Sequence, residues 1–339
     1  MRWSRHVAER VAWRDPWSDP QSFVEALVAW ARTCSEQPTL FYDGDWDLLT
    51  ISRRRHDLAP SLRFVVGEAD LVEDLVDKAR FAALSERAGL PTPPAIVLRA
   101  REAGASDAAA VGFPAVVKPL TRHHETWRPL VRTKVARVRD REELDRLWDQ
   151  MQTADIEVLV QREIPGPETA IESHHVYVDA SGALVAEFTG RKLRTYPAEH
   201  GYTTACEITD AADVAAAGRD VLSRIGLTGV AKLDFKRADD GTLHLFEVNP
   251  RFTLWHYPAA VAGLNIPALV HADLSGVRRP STRAARAGVQ WVSLRDAQAA
   301  RAAGLPLRRW GAWALRVEAK AQSVGDPGPT IAALLRRRA

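Results

Sequence analysis

The stretch 229–251 reads GVAKLDFKRADDGTLHLFEVNPR, two β-rich runs around a turn at Asp239, Asp240 and Gly241. Side chains alternate with period two along a strand, so Lys232, Asp234 and Lys236 share one face of the first run, while Val230, Leu233 and Phe235 include its packing positions. The same spacing predicts that Leu243, Leu245, Glu247 and Asn249 point one way on the second. Two carboxylates and an amide oxygen can then meet across a hairpin. Such hard ligands suit Mg²⁺, which usually completes its shell with water and substrate phosphates. An ordinary hairpin with solvated acids has the same residues. Lys232 and Arg251 beside those acids, on an apolar strand, favour a site.

At 339 residues the chain can hold two or three domains. It is 46% hydrophobic and 26% charged, which is ordinary for a globular protein and excludes fibrous or disordered classes. Cys34 and Cys206 are isolated, so neither a disulfide framework nor a Cys-ligated zinc site is expected, and the default compartment is cytoplasmic. The start, with Arg2, Trp3, Arg5 and Glu9, lacks the apolar run of a signal peptide, and no membrane partner is expected. Charge is unevenly spread. Residues 275–339 hold 13 Lys and Arg against 3 Asp and Glu, and the remainder 33 against 40. No nucleic-acid motif accompanies this basic segment, so a solvated surface, or a face packed on the more acidic body, is the expectation.

In chain order, the pattern predicts a short strand at Val7–Ala12, a helix at Gln21–Cys34, a buried strand at Thr39–Tyr42 and a helix at Trp46–Arg54. Asp43-Gly44-Asp45 lies between the last two, where open α/β sheets bind ligands, although a plain turn explains it equally well. A single helix is predicted over Ala69–Gly89, carrying Lys78. Phe113–Val117 is a short strand that delivers Lys118, a costly charge to leave unpaired and therefore one that calls for an anionic partner. A polar stretch, Thr121–Arg132, precedes a helix at Asp140–Met151. The strand Ile156–Gln161 leads through Arg162, Glu163 and Ile164 to Pro165-Gly166-Pro167, a candidate hinge between lobes. Strands at Ala170–Val178 and Ala183–Lys192 follow; the second ends in the cationic group Arg191, Lys192 and Arg194, which exposed surface charge would explain as well. Helices are expected at Ala211–Ile225 and Pro258–Ala272, and Trp291, Trp310 and Trp313 suggest short packed strands near the end. The pairs His123-His124 and His174-His175 are adjacent, so each splits its rings between faces and neither reads as a zinc site.

This order of motifs, a strand-end lysine, a hinge strand with a following acid, a cationic strand and then Asp, Glu, Asn and Arg, resembles the ATP-grasp superfamily. The intervals of 13 from Asp234 to Glu247 and 2 from Glu247 to Asn249 are similar to those of the D-alanine:D-alanine ligase branch. Over Lys78–Ser275 the chain is closer still to the carboxylate-amine ligase, or D-aspartate-ligase-like, family. The strings Gly190-Arg191-Lys192-Leu193-Arg194 with Tyr196-Pro197, and Glu247-Val248-Asn249-Pro250-Arg251, carry that likeness.

The resemblance implies an α/β protein of the ATP-grasp fold. It divides the chain into a shortened N-terminal pre-ATP-grasp lobe at 1–76, an ATP-grasp region at 77–275 with lobes meeting near 164–165, and a basic segment at 276–339 packed on the body. By the same resemblance Lys78 and Lys118 contact ATP phosphates, the backbone around Gln161, Arg162 and Ile164 binds adenine, and Glu168 holds the ribose. Lys232 with Arg191 or Lys192 lies near the β- and γ-phosphates. Asp234, Glu247 and Asn249 hold two Mg²⁺, with Mn²⁺ as a substitute, and Arg251 stabilises the charge on a tetrahedral intermediate. The implied activity joins a small carboxylate to an amine, an amino acid in the first instance, through an acyl phosphate with release of ADP and phosphate. A small-molecule kinase or a nucleotide-binding regulator could use the same nucleotide site, and a homodimer is open. Two features depart from the family. Thr121–Arg132 lacks the glycines that commonly cover the phosphates, and the first lobe starts at a segment resembling the later Ser-Arg motif, here Ser4-Arg5.

Overall fold

The computed structural model describes residues 3–12, 14–120, 126–131, 133, 135–198, 201–321, 325–329 and 331–332. Its helices in the first part are α1 (Pro20–Ala31), α2 (Asp45–Arg53), α3 (Arg55–Leu58), α4 (Ala69–Val76) and α5 (Lys78–Arg87). Strand β1 (Ala95–Arg99), α6 (Ala105–Ala109), β2 (Ala115–Pro119), α7 (Trp127–Val131), β3 (Ala136–Val138), α8 (Arg141–Ala154) and β4 (Glu157–Arg162) follow. Then come a 3₁₀ turn at Glu168–Ala170, β5 (Ile171–Val178), β6 (Leu184–Tyr196), β7 (Tyr202–Thr209), α9 (Ala212–Ile225), β8 (Gly229–Arg237) and β9 (Leu243–Asn249). The chain continues through α10 (His256–Val261), α11 (Ile266–Ser275), β10 (Gln290–Val292), α12 (Asp296–Ala302), α13 (Leu307–Arg316) and β11 (Ala319–Lys320).

Two sheets carry the architecture. The smaller has the order β1-β4-β2-β3 and the larger β11-β10-β7-β6-β5-β8-β9. Every pairing but β10 with β11 is antiparallel. The small sheet lays Val117, Val158 and Val160 against Leu144, Trp148 and Met151 of α8. Both faces of the large sheet are covered, and alternation sorts its strands between them. Val176, Val178, Leu233, Phe235 and Val248 face α9, whereas Tyr177, Phe188, Cys206, Ile208 and Val230 face Trp255 and the helices α10 and α11. A further core joins Val24, Leu48, Ile51, Leu58 and Val72 in the N-terminal region.

Several expectations are corrected. The helix predicted over Ala69–Gly89 is two, because Asp77 adopts an extended conformation and caps the second with its carboxylate, which accepts from the Ala79 and Arg80 amides. The one predicted at Pro258–Ala272 is likewise two: Gly263 sits at φ +102°, a backbone that ends a helix, and Asn265 caps the next. No strand forms at residues 7–12, and Thr39–Tyr42 contributes a single bridge, Thr39 to Arg63, for want of a partner strand. Strands β1 and β7 lay outside the expectation, although AIVLR and YTTACEIT are rich in β-formers. Trp310 and Trp313 lie on helix α13, spaced three apart on one face.

Candidate active site

The register of β8 on β9 sets Asp234 opposite Glu247 and Lys232 opposite Asn249. Simple alternation along β9 fails between the two halves of the strand. Leu245 pairs with Phe235, the next pair is Asp234 with Glu247, and Phe246 is the extra residue of a bulge. Leu243 and Leu245 therefore face the core beside α9, and Glu247 and Asn249 face the other way, which corrects the expectation that all four point together. The bulge separates the two jobs of the strand.

On the neighbouring strand, Ser173 lies opposite Asp234 and His175 opposite Lys232. The Ser173 hydroxyl donates to Asp234 Oδ1 at 2.5 Å and the Lys232 ammonium to Asp234 Oδ2 at 2.5 Å. Burial pushes the Asp234 carboxyl toward its neutral form, but Lys232, Lys192 and these hydrogen bonds outweigh it and hold the group below its ordinary value. Asp234 is therefore a buried, ionised acid whose charge is met by two lysines. Ser173 was not singled out from sequence; its place two residues from Ile171 on the same face was the available signal.

The second carboxylate is more open. Glu247 is exposed and accepts from Asn249 Nδ2 at 3.0 Å, while Asn249 Oδ1 accepts from Arg251 Nη2 at 3.2 Å. Arg251 in turn donates through Nε to Asp45 Oδ1 at 2.5 Å, at the first turn of α2. Lys118 approaches from the small sheet. Its Nζ donates to Gln161 Oε1 at 2.9 Å and lies 5.9 Å from the centroid of the Phe246 ring. Burial lowers the pKa of Lys118, and the nearby Glu247 charge opposes that shift. The two sheets thus meet at Lys118, Phe246 and Glu247.

Lys192 forms an ion pair with Glu168 at 3.7 Å, both side chains largely covered. Arg191 points away, half exposed, to Glu207 on β7. A register shift after Lys192 puts Arg194 opposite Ala205, and it pairs with the buried Asp296. The cationic string is divided, and Lys192 alone of the three reaches toward Asp234. Lys78 donates to the Pro119 and Leu120 carbonyls at 2.8 Å each, so it holds the end of the strand that carries Lys118. The Arg162 and Glu163 amides are engaged by the Pro94 and Pro114 carbonyls, and Ile164 follows, buried, at the inter-sheet connection. The glycine-free stretch is described only at 126–131, where the indole of the buried Trp127 donates to the Thr133 carbonyl at 2.8 Å; Arg122, His123 and His124 lie outside the described residues.

His174 and His175 take opposite faces. His174 bonds Glu187, and the approach of its ring to α9 requires the missing side chain of Gly218. His175 stacks on Phe188 at 4.3 Å, buried under the site. Among the described residues no group of three His, Cys, Asp or Glu side chains is placed to hold a metal ion. Asp234, Glu247 and Asn249 offer two carboxylates and an amide. That donor set fits Mg²⁺, which favours one or two carboxylates with phosphates completing the shell over an all-protein cage.

No family model matches the chain. Over 218 residues it is 29% identical to a D-alanine--D-alanine ligase of Pseudomonas entomophila, covering 59% of this chain and 64% of that one. A D-alanine--D-alanine ligase of Pseudomonas fluorescens is 30% identical over 218 residues, 59% and 62% of the two chains. Among solved structures, a biotin carboxylase from Campylobacter jejuni in its beta-gamma-ATP complex superposes with TM-score 0.61 at 15% identity, covering 82% of this chain and 63% of that one. An L-amino acid ligase from Bacillus licheniformis gives 0.57 at 16% identity, covering 79% and 64%. The chain has the ATP-grasp fold. It spans less than two thirds of the length of the curated relatives it matches. The ATP-grasp fold explains why two sheets from separate stretches of sequence present Lys118 and Glu247 to each other. No described helix is long and apolar enough to cross a membrane.

Proposed function

We propose that the chain is an ATP- and Mg²⁺-dependent ligase that joins a small carboxylic acid to an amine. The observation that carries this reading is the facing pair Asp234 and Glu247, met by Lys232 on the same strand, Lys192 from β6 and Lys118 from the other sheet. Phosphoryl transfer needs positioned cations and metal ligands far more than a covalent nucleophile, and no such nucleophile is required here. The likeness to D-alanine--D-alanine ligases and to an L-amino acid ligase supports an amide-forming reaction.

In this reading the substrate carboxylate attacks the γ-phosphorus of ATP, the bond to the β-phosphate oxygen breaks and ADP leaves. The amine then attacks the acyl carbon, phosphate departs and the nitrogen loses a proton. Asp234, Glu247 and Asn249 would hold Mg²⁺, whose charge offsets that of the phosphates. Lys118, Lys192 and Lys232 neutralise phosphate oxygens, whereas Arg191, paired with Glu207, stays outside this group. Lys78 supports the strand of Lys118 and would reach phosphate only by giving up its carbonyl bonds. Gln161, Arg162 and Ile164 line the adenine side by their backbone, and Glu168 takes the ribose hydroxyls. Arg251 stabilises the oxyanion that forms at the acyl carbon. The corresponding division of the chain is 1–76, 77–275 and 276–339.

The test supplies the protein with Mg²⁺, ATP and a mixture of amino acids, with and without hydroxylamine. Hydroxamate together with ADP and phosphate is the expected result. AMP and pyrophosphate would overturn the acyl-phosphate scheme.

A further inference from the structure

The N-terminal region reaches the site through Asp45. Asp45 begins α2, a helix held by the buried Leu48, Leu49 and Ile51, and its carboxylate receives Arg251 Nε. Both side chains are mostly covered, 17% exposed for Arg251 and 14% for Asp45, so the contact differs from a surface ion pair that solvent would screen. The other edge of the same guanidinium donates from Nη2 to Asn249 Oδ1, and Asn249 donates to Glu247. Arg251 is thus fixed between a helix of the first region and the strand that carries the acids. Among the described residues no hydrogen bond engages its Nη1.

We propose that Asp45 is the positioning residue for Arg251, holding the guanidinium by Nε so that its Nη1 edge faces the reacting acyl group. The proposal rests on the function given above, and it assigns the first region a part in catalysis through Arg251. A guanidinium has five donors in a rigid plane, so fixing Nε fixes the direction of the remaining N–H bonds. Without the carboxylate the side chain keeps, among the described residues, Asn249 as its hydrogen-bonded anchor, and it can rotate about that contact. A helix-borne carboxylate sets this geometry more firmly than a loop residue could. The chain entering α2 brings Asp43 near, and the first turn of α2 brings Asp47. Burial, and next the Asp43 charge, raise the pKa of Asp47, while Arg251 opposes the rise. Asp45 is the acid that takes the guanidinium directly.

The experiment compares wild type, Asp45→Asn, Asp45→Glu and Arg251→Lys, each assayed for phosphate release with MgATP and an amino-acid mixture, for MgADP affinity by calorimetry, and for the Arg251 Nε–H resonance by NMR. Asp45→Asn should lower kcat on the order of 100-fold, leave the KM for ATP and the MgADP affinity within about twofold, and shift the Nε–H signal. Asp45→Glu should restore part of the rate. Normal kcat in Asp45→Asn with Arg251→Lys impaired would overturn the positioning role alone, and loss of MgADP binding in Asp45→Asn would reduce it to a structural contact. Normal turnover in Arg251→Lys would instead overturn the role given to Arg251, and with it the proposal.

Discussion

Asp234 and Glu247 stand directly opposite one another in the β8–β9 ladder, and the bulge at Phe246 places them there. Their environments differ: Asp234 is buried and bonded to Ser173 and Lys232, while Glu247 is exposed. Glu247→Gln removes charge with little change of volume. Turnover should fall on the order of 100-fold or more, while stability stays within about 0.5 kcal/mol because the position is on the surface. Phosphate release and a urea titration measure the two effects, and normal turnover would remove Glu247 from the metal site.

Gly190 lies on β6 two residues before Lys192, opposite Ser173. A methyl group there would meet Trp255 Cζ3 at 2.6 Å and the Glu207 carbonyl oxygen at 2.9 Å. The second neighbour is backbone of a paired strand and cannot step aside cheaply. Gly190→Ala should cost about 1–3 kcal/mol, read as a lower urea midpoint at unchanged slope. A midpoint equal to wild type would show that the sheet has room at this point.

Asp296 is fully buried and accepts from Arg194, Thr204 and Trp310, with Trp313 lying on the guanidinium at 4.3 Å from its ring centroid. This cluster fastens α12 and α13 behind the strand of Lys192. Asp296→Ala leaves the arginine without its counter-charge and should destabilise by about 3–5 kcal/mol. Changing both partners to apolar residues of similar size should recover much of the loss. Thermal denaturation of the single and double variants checks both halves.

His256 is buried beside Phe252 and Phe188, and burial lowers its pKa to about 4 from 6.5. Above pH 6.5 the ring is neutral in folded and unfolded chains and adds no pH dependence. As pH falls below 6.5 the unfolded chain binds the proton first, so stability drops until the folded ring protonates near pH 4. The difference amounts to about 3 kcal/mol. His256→Phe should flatten the stability profile between those pH values, measured by urea unfolding; an unchanged slope would place the loss on other groups.

The sequence by itself determined the hairpin at 229–251, the strand end bearing Lys118, a strand bearing Lys192 (which the structure continues to Tyr196), and the succession of acids and amide on which the ATP-grasp reading rests. Period-two alternation and short-range turn chemistry fix those features locally. Where alternation broke, as at Phe246 and after Lys192, the face taken by Glu247 and the separation of Lys192 from Arg194 depended on pairing with a neighbouring strand. Such pairing leaves no period in the sequence. The engagement of Lys78 by two carbonyls, the Ser173 bond to Asp234 and the contact of Asp45 with Arg251 join residues dozens to hundreds of positions apart. Only the tertiary structure decided them, because a side chain's partner is set by how elements pack and not by the residues beside it in the chain.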